Sequence, residues 1–171
     1  MNNPVKSERW TSPRIRATAI IFNMENEILL LKHVRDWGEF LVLPGGGVED
    51  GESVESALER EVREELGVNC IAGKLIAAGE LIKGDRHVLD LFYLAEIDRF
   101  SDFVLQRSVG ISQAEWVGTD QIGGLFLLPF EIVPILSALP RNPPDKIQSL
   151  GKYDLIKRED LPDNLFPEQN G

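Results

Sequence analysis

Pro44 is followed by three glycines and, within eight residues, by a helix crowded with glutamates. The apolar run Phe40-Leu41-Val42-Leu43 reads as a short strand, and Pro44-Gly45-Gly46-Gly47 stops it. From Glu52 to Leu66 the pattern is helical, with Ser53 near its start and Gly67 just past its end in the C′ position. Glu61, Glu64 and Glu65 stand at i, i+3 and i+4, so three like charges crowd one end of the helix. An acidic helix is most often only a solvated face, but the helical wheel argues otherwise here. Val54, Ala57, Leu58 and Val62 form one apolar stripe. Glu61 and Glu65 fall inside it, each within roughly 20° of Val54 at about 100° per residue. Glu64 lies at its edge, while Glu52, Ser56, Glu59, Arg60 and Arg63 are expected on the solvent side, with both arginines poorly placed to neutralise Glu65.

A buried carboxylate is costly unless it is paired or bound to a metal. A cleft holding a divalent cation resolves the conflict, and oxygen-only donors point to Mg²⁺ or Mn²⁺. The glycines allow close approach of a ligand and can free a carbonyl for a cation's shell. Nothing suggests zinc, because His33 and His87 are isolated and read as strand residues.

The rest of the chain bounds the possibilities. Its 171 residues predict one domain. A formal charge of −10, from 18 basic and 28 acidic residues, argues against binding a nucleic-acid polymer or an anionic membrane. A small phosphorylated substrate stays possible, because bound cations reverse the local field. The one cysteine, Cys70, forms no internal disulfide and reads as a small apolar strand residue. No signal-peptide pattern opens the chain, and no apolar run approaches the roughly 18 residues of a membrane span. The expected location is cytoplasmic.

Residues 1–13 read as a polar arm, 14–139 as the domain and 140–171 as a tail in which Leu150 to Ile156 could dock. Arg14 to Phe22 and Glu27 to Val34, around Asn23-Met24-Glu25-Asn26, read as a β-hairpin. Val68 to Ile82 and His87 to Ile97 are strands joined across a turn at 83–86, and Ala114 to Val117 is a short strand. Phe130 to Leu139 is a second helix with Pro129 at its opening. Strands, helix, strands, helix is the order of an α+β fold or a mixed-sheet sandwich.

Gly46, five residues, Glu52, seven residues, then Arg60-Glu61-Val62-Arg63-Glu64-Glu65-Leu66-Gly67-Val68 resembles the Nudix box at every specified position, over 23 residues. The preceding Leu43-Pro44-Gly45-Gly46-Gly47 is similar to the family's entry to the box. The resemblance implies a Nudix-type α/β/α sandwich with a mixed β-sheet and the box as loop-helix-loop. It implies a pyrophosphohydrolase that uses Mg²⁺ or Mn²⁺ to cleave a nucleoside diphosphate linked to another group. ADP-ribose or another ADP-sugar, a modified nucleoside triphosphate and a dinucleoside polyphosphate are the substrate classes it suggests. The implied metal ligands are Glu61, Glu64, Glu65 and the Gly46 carbonyl, with Arg60 and Glu52 supporting helix and loop. Glu64, Glu65 and Glu115 are the implied catalytic carboxylates, and either Glu65 or Glu115 would be the general base.

For the substrate, Arg14 and Arg16 alternate onto one strand face and could meet phosphate. Arg35 could touch a phosphate, and Trp37 or Phe40 could stack on a base. The expected partner is a small nucleotide-type molecule, and a homodimer would be in keeping with the family. Two other readings share the scaffold: a non-catalytic nucleotide sensor, and a prenyl diphosphate isomerase relying on Cys70, which lies just past the box rather than facing it.

Overall fold

The computed structural model describes residues 13–83, 86–105, 110–139 and 146–153. Residues 1–12 of the expected arm, Gly84 and Asp85 of the expected turn, and 140–145 and 154–171 of the expected tail lie outside them. The strands are β1 (Arg14–Ile21), β2 (Glu27–Arg35), β3 (Gly38–Val42), β4 (Gly45–Gly47), β5 (Cys70–Lys83), β6 (Arg86–Ile97), β7 (Ile111–Gly118), β8 (Leu127–Leu128) and β9 (Gln148–Tyr153). The helices are α1 (Val54–Leu66) and α2 (Val133–Ala138). One sheet runs β4-β1-β6-β5-β9 and the other β7-β2-β3-β8. Both are mixed: β1 with β6, β5 with β9 and β3 with β8 are parallel pairs, and the others are antiparallel.

Alternation along the central strands places the layers. Ala17, Ala19 and Ile21 of β1 and Leu29 and Leu31 of β2 share a core cluster with Ala57, Leu58, Val62 and Leu66 of α1. Ile20, Ile28 and Leu30 fall in a second cluster with Ile132, Leu136 and Leu139, around α2. Side chains of a strand point alternately to its two faces, so the strands lie between the two helices in an α/β/α arrangement. None of the described helices is long and apolar enough to cross a membrane.

The helix that the wheel predicted is present with its caps. The Ser53 hydroxyl accepts from the Ser56 N–H at 3.1 Å, and Gly67 adopts φ 67° while its N–H donates to the Arg63 carbonyl. That left-handed turn is why a glycine stands there. β5 and β6 pair antiparallel across the predicted turn, from Cys70 opposite Ile97 to Lys83 opposite Arg86.

Other expectations are corrected. β1 and β2 do not form a hairpin. Asn23–Asn26 does turn, with the Asn23 side-chain carbonyl accepting from the Glu25 and Glu27 N–H groups at 3.0 and 2.9 Å. The strands part after a single bridge between Phe22 and Ile28 and enter different sheets. Both edges of β1 are taken by β4 and β6, so none is left for β2. The three glycines expected as a turn are strand β4, with Arg16, Ala17 and Thr18 opposite Gly47, Gly46 and Gly45. The second helix divides into a 3₁₀ turn at Phe130–Ile132 and a short α2, with Pro134 at its start where the missing N–H costs no bond. Gln148–Tyr153 docks on β5 as a parallel edge strand.

Candidate active site

The box carboxylates are held by the strand in front of them as much as by their own helix. Gly45 has φ +139°, and a Cβ there would lie 2.2 Å from the Ala17 carbonyl oxygen. A Cβ on Gly46 would lie 2.1 Å from the Glu61 carboxyl carbon, so the Glu61 head group occupies the space a side chain would need. Glycine at both positions lets β4 pass between β1 and the acidic end of α1. The Gly45 N–H donates to Glu65 Oε2 at 2.9 Å.

Arg60 ties the loop to the helix. Its Nε and Nη2 donate to both Glu52 oxygens at 3.0 Å, and Nη2 also donates to the Gly47 carbonyl at 2.9 Å. Nη1 donates to Glu61 Oε1 at 3.0 Å and lies 3.5 Å from Glu64 Oε2. This corrects the expectation that Arg60 faces solvent: its long side chain folds back along the helix toward β4. Glu61 is partly buried and Glu64 half exposed, while Glu65 retains only 8% exposure. Burial pushes the Glu65 carboxyl up to about 7, against the Gly45 N–H and the Arg16 charge that lower it.

The donors suit a hard divalent cation. Glu61, Glu64 and Glu65 offer only oxygen donors. No three acidic, histidine or cysteine side chains among the described residues already converge as an ion cage. The implied Gly46 carbonyl is less well placed than expected. Ala19 N–H bonds the Pro44 carbonyl and Val48 N–H the Ile15 carbonyl, so the Ala17–Gly46 pair between them is of the mutually bonded kind. Gly46 therefore turns its own groups to β1, and the neighbouring Gly45 and Gly47 present theirs toward α1. Gly47 is already engaged by Arg60, which leaves Gly45.

A cavity of about 1090 Å³ opens between the two sheets and reaches Glu65. The four residues predicted to meet substrate, Arg14, Arg16, Arg35 and Trp37, all line it. The shared face of Arg14 and Arg16 is the one expected from strand alternation. Across from them, His33, Phe40 and Trp37 form a stack, with ring centroids 5.4 Å apart for His33–Phe40 and 5.0 Å for Trp37–Phe40, and interplanar angles of 22° and 14°. Phe126 meets Trp37 and Phe40 edge-on. Burial lowers the His33 pKa, and the charges of Arg35 and Arg16 lower it further, so the ring is neutral near pH 7. With Arg86 the lining carries four arginines against the carboxylates of Glu65 and Asp90. The cavity thus favours anions although the chain carries −10 overall.

Glu115, expected among the catalytic carboxylates, and Cys70, on which the isomerase reading relied, do not line the cavity. Glu115 sits on β7 opposite Leu30, which with Val117 belongs to the core cluster around α2. Its neighbours Ala114 and Trp116 pack with the α1 cluster. Alternation therefore sets Glu115 on the face opposite Ala114 and Trp116, and it does not line the cavity. Cys70 is 5% exposed and lies outside the cavity, and burial pushes its thiol up to about 12. Such a thiol is no nucleophile at neutral pH, which removes the physical basis for the isomerase reading.

Sequence reasoning passed over Asp90 and Thr18. Asp90 is 4% exposed in β6, and the Thr18 hydroxyl donates to its Oδ1 at 2.6 Å. The signal was a single acid inside the apolar run from His87 to Tyr93.

The NUDIX domain family matches residues 12–139 of the chain. The chain is 32% identical over 130 residues to the 8-oxo-dGDP phosphatase NUDT18 of Danio rerio, covering 73% of this chain and 38% of that protein. It is 37% identical over 82 residues to the 8-oxo-dGTP diphosphatase of Escherichia coli (strain K12), covering 47% and 64%. It is 32% identical over 103 residues to diphosphoinositol polyphosphate phosphohydrolase 3-alpha of Mus musculus, covering 59% and 62%. The chain thus spans less than two thirds of the length of each of these relatives. Among solved structures, the MutT protein from Methanosarcina mazei Go1 superposes with a TM-score of 0.65 at 22% identity, covering 77% of this chain and 99% of that one. An ADP-ribose pyrophosphatase from Streptococcus suis gives 0.60 at 21%, covering 81% and 99%. At these identities the likeness is one of fold.

Proposed function

Because the chain belongs to the NUDIX family, we propose that this hydrolase uses Mg²⁺ or Mn²⁺ to cleave the diphosphate of a nucleoside diphosphate linked to another group. ADP-ribose or another ADP-sugar and a modified nucleoside triphosphate are the favoured substrates. One observation carries the reading: a single cavity joins the buried Glu65 carboxylate, a cluster of arginines and a wall of stacked rings. Those are the three surfaces that a diphosphate bearing an aromatic base requires.

Glu61, Glu64 and Glu65 would hold the cation, with a backbone carbonyl from Gly45 rather than the Gly46 first expected. Bound there, the cation would neutralise charge on the diphosphate and make a water easier to deprotonate. The protein's own groups do the rest. Arg60 fixes Glu61 and the loop, so the carboxylates do not reorganise as substrate arrives. Arg14, Arg16 and Arg35 bind and orient the phosphates. Glu65, which reaches the cavity from the end of the helix, takes the general-base role in preference to Glu115. Trp37 stacks on the base, with Phe40 behind it in the stack.

The stacked wall also separates this reading from hydrolysis of a diphosphoinositol polyphosphate, the class in the name of the mouse relative, which has no flat ring to stack. The complete set of box carboxylates favours catalysis over a nucleotide sensor. The test is a panel of ADP-ribose, ADP-glucose, 8-oxo-dGTP, 8-oxo-dGDP, diadenosine polyphosphates and a diphosphoinositol polyphosphate, incubated with Mg²⁺ or Mn²⁺ in ¹⁸O-water. Cleavage of a nucleotide diphosphate, with one ¹⁸O in a phosphoryl product, is expected. Turnover of the inositol compound alone, or of nothing, overturns the proposal.

A further inference from the structure

We propose that Asp90 and Thr18 are positioning residues that aim Arg16 end-on at a phosphate of the bound substrate. The inference rests on the reading above only in that the cavity takes a diphosphate.

In the parallel pairing of β1 with β6, Arg16 lies directly opposite Asp90, and Thr18 follows on the same face. Thr18 is 2% exposed and Asp90 4%. The Thr18 hydroxyl has one proton, and the 2.6 Å bond to Asp90 Oδ1 uses it. Its oxygen is then free to accept, and Arg16 Nε donates to it at 3.3 Å. Asp90 Oδ2 lies 3.8 Å from the same Nε. Among the described residues, both polar contacts of Arg16 run through Nε, and neither terminal nitrogen has a partner.

The Arg16 side chain, 36% exposed, enters the cavity that Glu65 also lines. A guanidinium is planar, so fixing it at Nε fixes the direction in which its two terminal nitrogens point. Those two form the fork that meets two phosphate oxygens at once. A buried carboxylate in an apolar strand is costly unless paired. Thr18 already supplies Asp90 with a hydrogen-bond donor. The placement of Oδ2 beside Arg16 is the further feature that a simple core pair does not need. Holding the arginine in its bound orientation reduces the freedom lost on binding.

The test is calorimetric titration of the full chain with inorganic pyrophosphate in EDTA, alongside thermal unfolding. Asp90→Asn and Thr18→Val are each expected to weaken pyrophosphate about tenfold, the size of a charge-assisted contact. Thr18→Ser, which keeps the hydroxyl, should restore binding. Arg16→Ala should weaken binding at least as much, and Asp90→Asn added to Arg16→Ala should weaken it no further. That non-additivity is the readout a merely structural role would not give. Wild-type affinity in both Asp90→Asn and Thr18→Val overturns the inference, as does additional loss in the double variant or no pyrophosphate binding by the wild type. If Asp90→Asn does not fold, Thr18→Val decides by the same criterion. Pyrophosphate binding that follows the expected pattern, in a protein that hydrolyses no nucleotide, would refute the proposed activity and leave this inference standing.

Discussion

Replacing Glu65 by glutamine should make the metal-free protein more stable at alkaline pH while removing its activity. The glutamine carbonyl can still accept the Gly45 N–H bond now made by Glu65 Oε2, so the substitution changes charge with little change in shape. Burial raises the Glu65 carboxyl from 4.5 to about 7 in the folded chain. Below pH 4.5 the group is protonated in both folded and unfolded chains and has no effect on stability. Between 4.5 and about 7 the folded chain keeps a proton that the unfolded chain has released, so stability falls as pH rises. Above about 7 the whole penalty is present, and it amounts to about 3 kcal/mol.

Glutamine escapes that penalty, because it does not titrate. In EDTA the variant should match the wild type near pH 4.5 and unfold roughly 6 to 12 °C higher at pH 8 for a chain of this length. All other titrating groups are common to both proteins, so the difference between their pH–stability curves isolates Glu65. Adding Mg²⁺ at pH 8 should stabilise the wild type and largely close the gap, because a cation that prefers the ionised carboxylate stabilises the folded state by mass action. Parallel pH curves for the two proteins would refute the account of Glu65 as a buried, uncompensated carboxylate.

Three further substitutions probe the site. Gly46→Ala should fold, because only the flexible end of Glu61 must move, yet lose at least about tenfold in turnover as that carboxylate is displaced. Gly45→Ala, which meets a backbone carbonyl at a positive φ, should instead lower the unfolding temperature markedly; equal stability of the two variants would contradict the β4 geometry. Trp37→Ala should raise KM about 5- to 150-fold, equivalent to about 1–3 kcal/mol of stacking on one base, and Phe40→Ala, which removes the ring behind it, should raise KM as well, with kcat little changed in either. An unchanged KM in both would remove the stacked wall from substrate binding. Glu115→Gln should retain a near-normal rate, and a loss comparable to that of Glu65→Gln would show that β7 reaches the chemistry after all.

The parts of the fold and site readable in advance were those set by local pattern. Helix α1, its Ser53 cap and the Gly67 terminus follow from periodicity and cap chemistry. So does the intrusion of Glu61 and Glu65 on the apolar stripe. The common face of Arg14 and Arg16 followed from a period of two. What failed was non-local. The turn at Asn23–Asn26 is real, but nothing in its residues tells that β1 is claimed on both edges by β4 and β6. Arg60 fell on the solvent side of the wheel, yet a long side chain can leave its own helix to reach Glu52 and Gly47. The face of Glu115 was legible in advance, since it shares its parity with Val117 and stands against Trp116. Asp90 was visible as one acid in an apolar strand. Its meaning depends on Thr18 and Arg16, 72 and 74 residues away, and only the β1–β6 register brings them together.

The most direct test of the account is the initial rate of Glu65→Gln with saturating Mg²⁺ on whichever nucleotide diphosphate the wild type cleaves, beside Glu64→Gln. Loss of turnover by about 10²-fold or more in folded Glu65→Gln protein, the size expected for a general acid–base group, is the predicted result. Near-wild-type rates in both variants would contradict the assignment of the box glutamates to the chemistry.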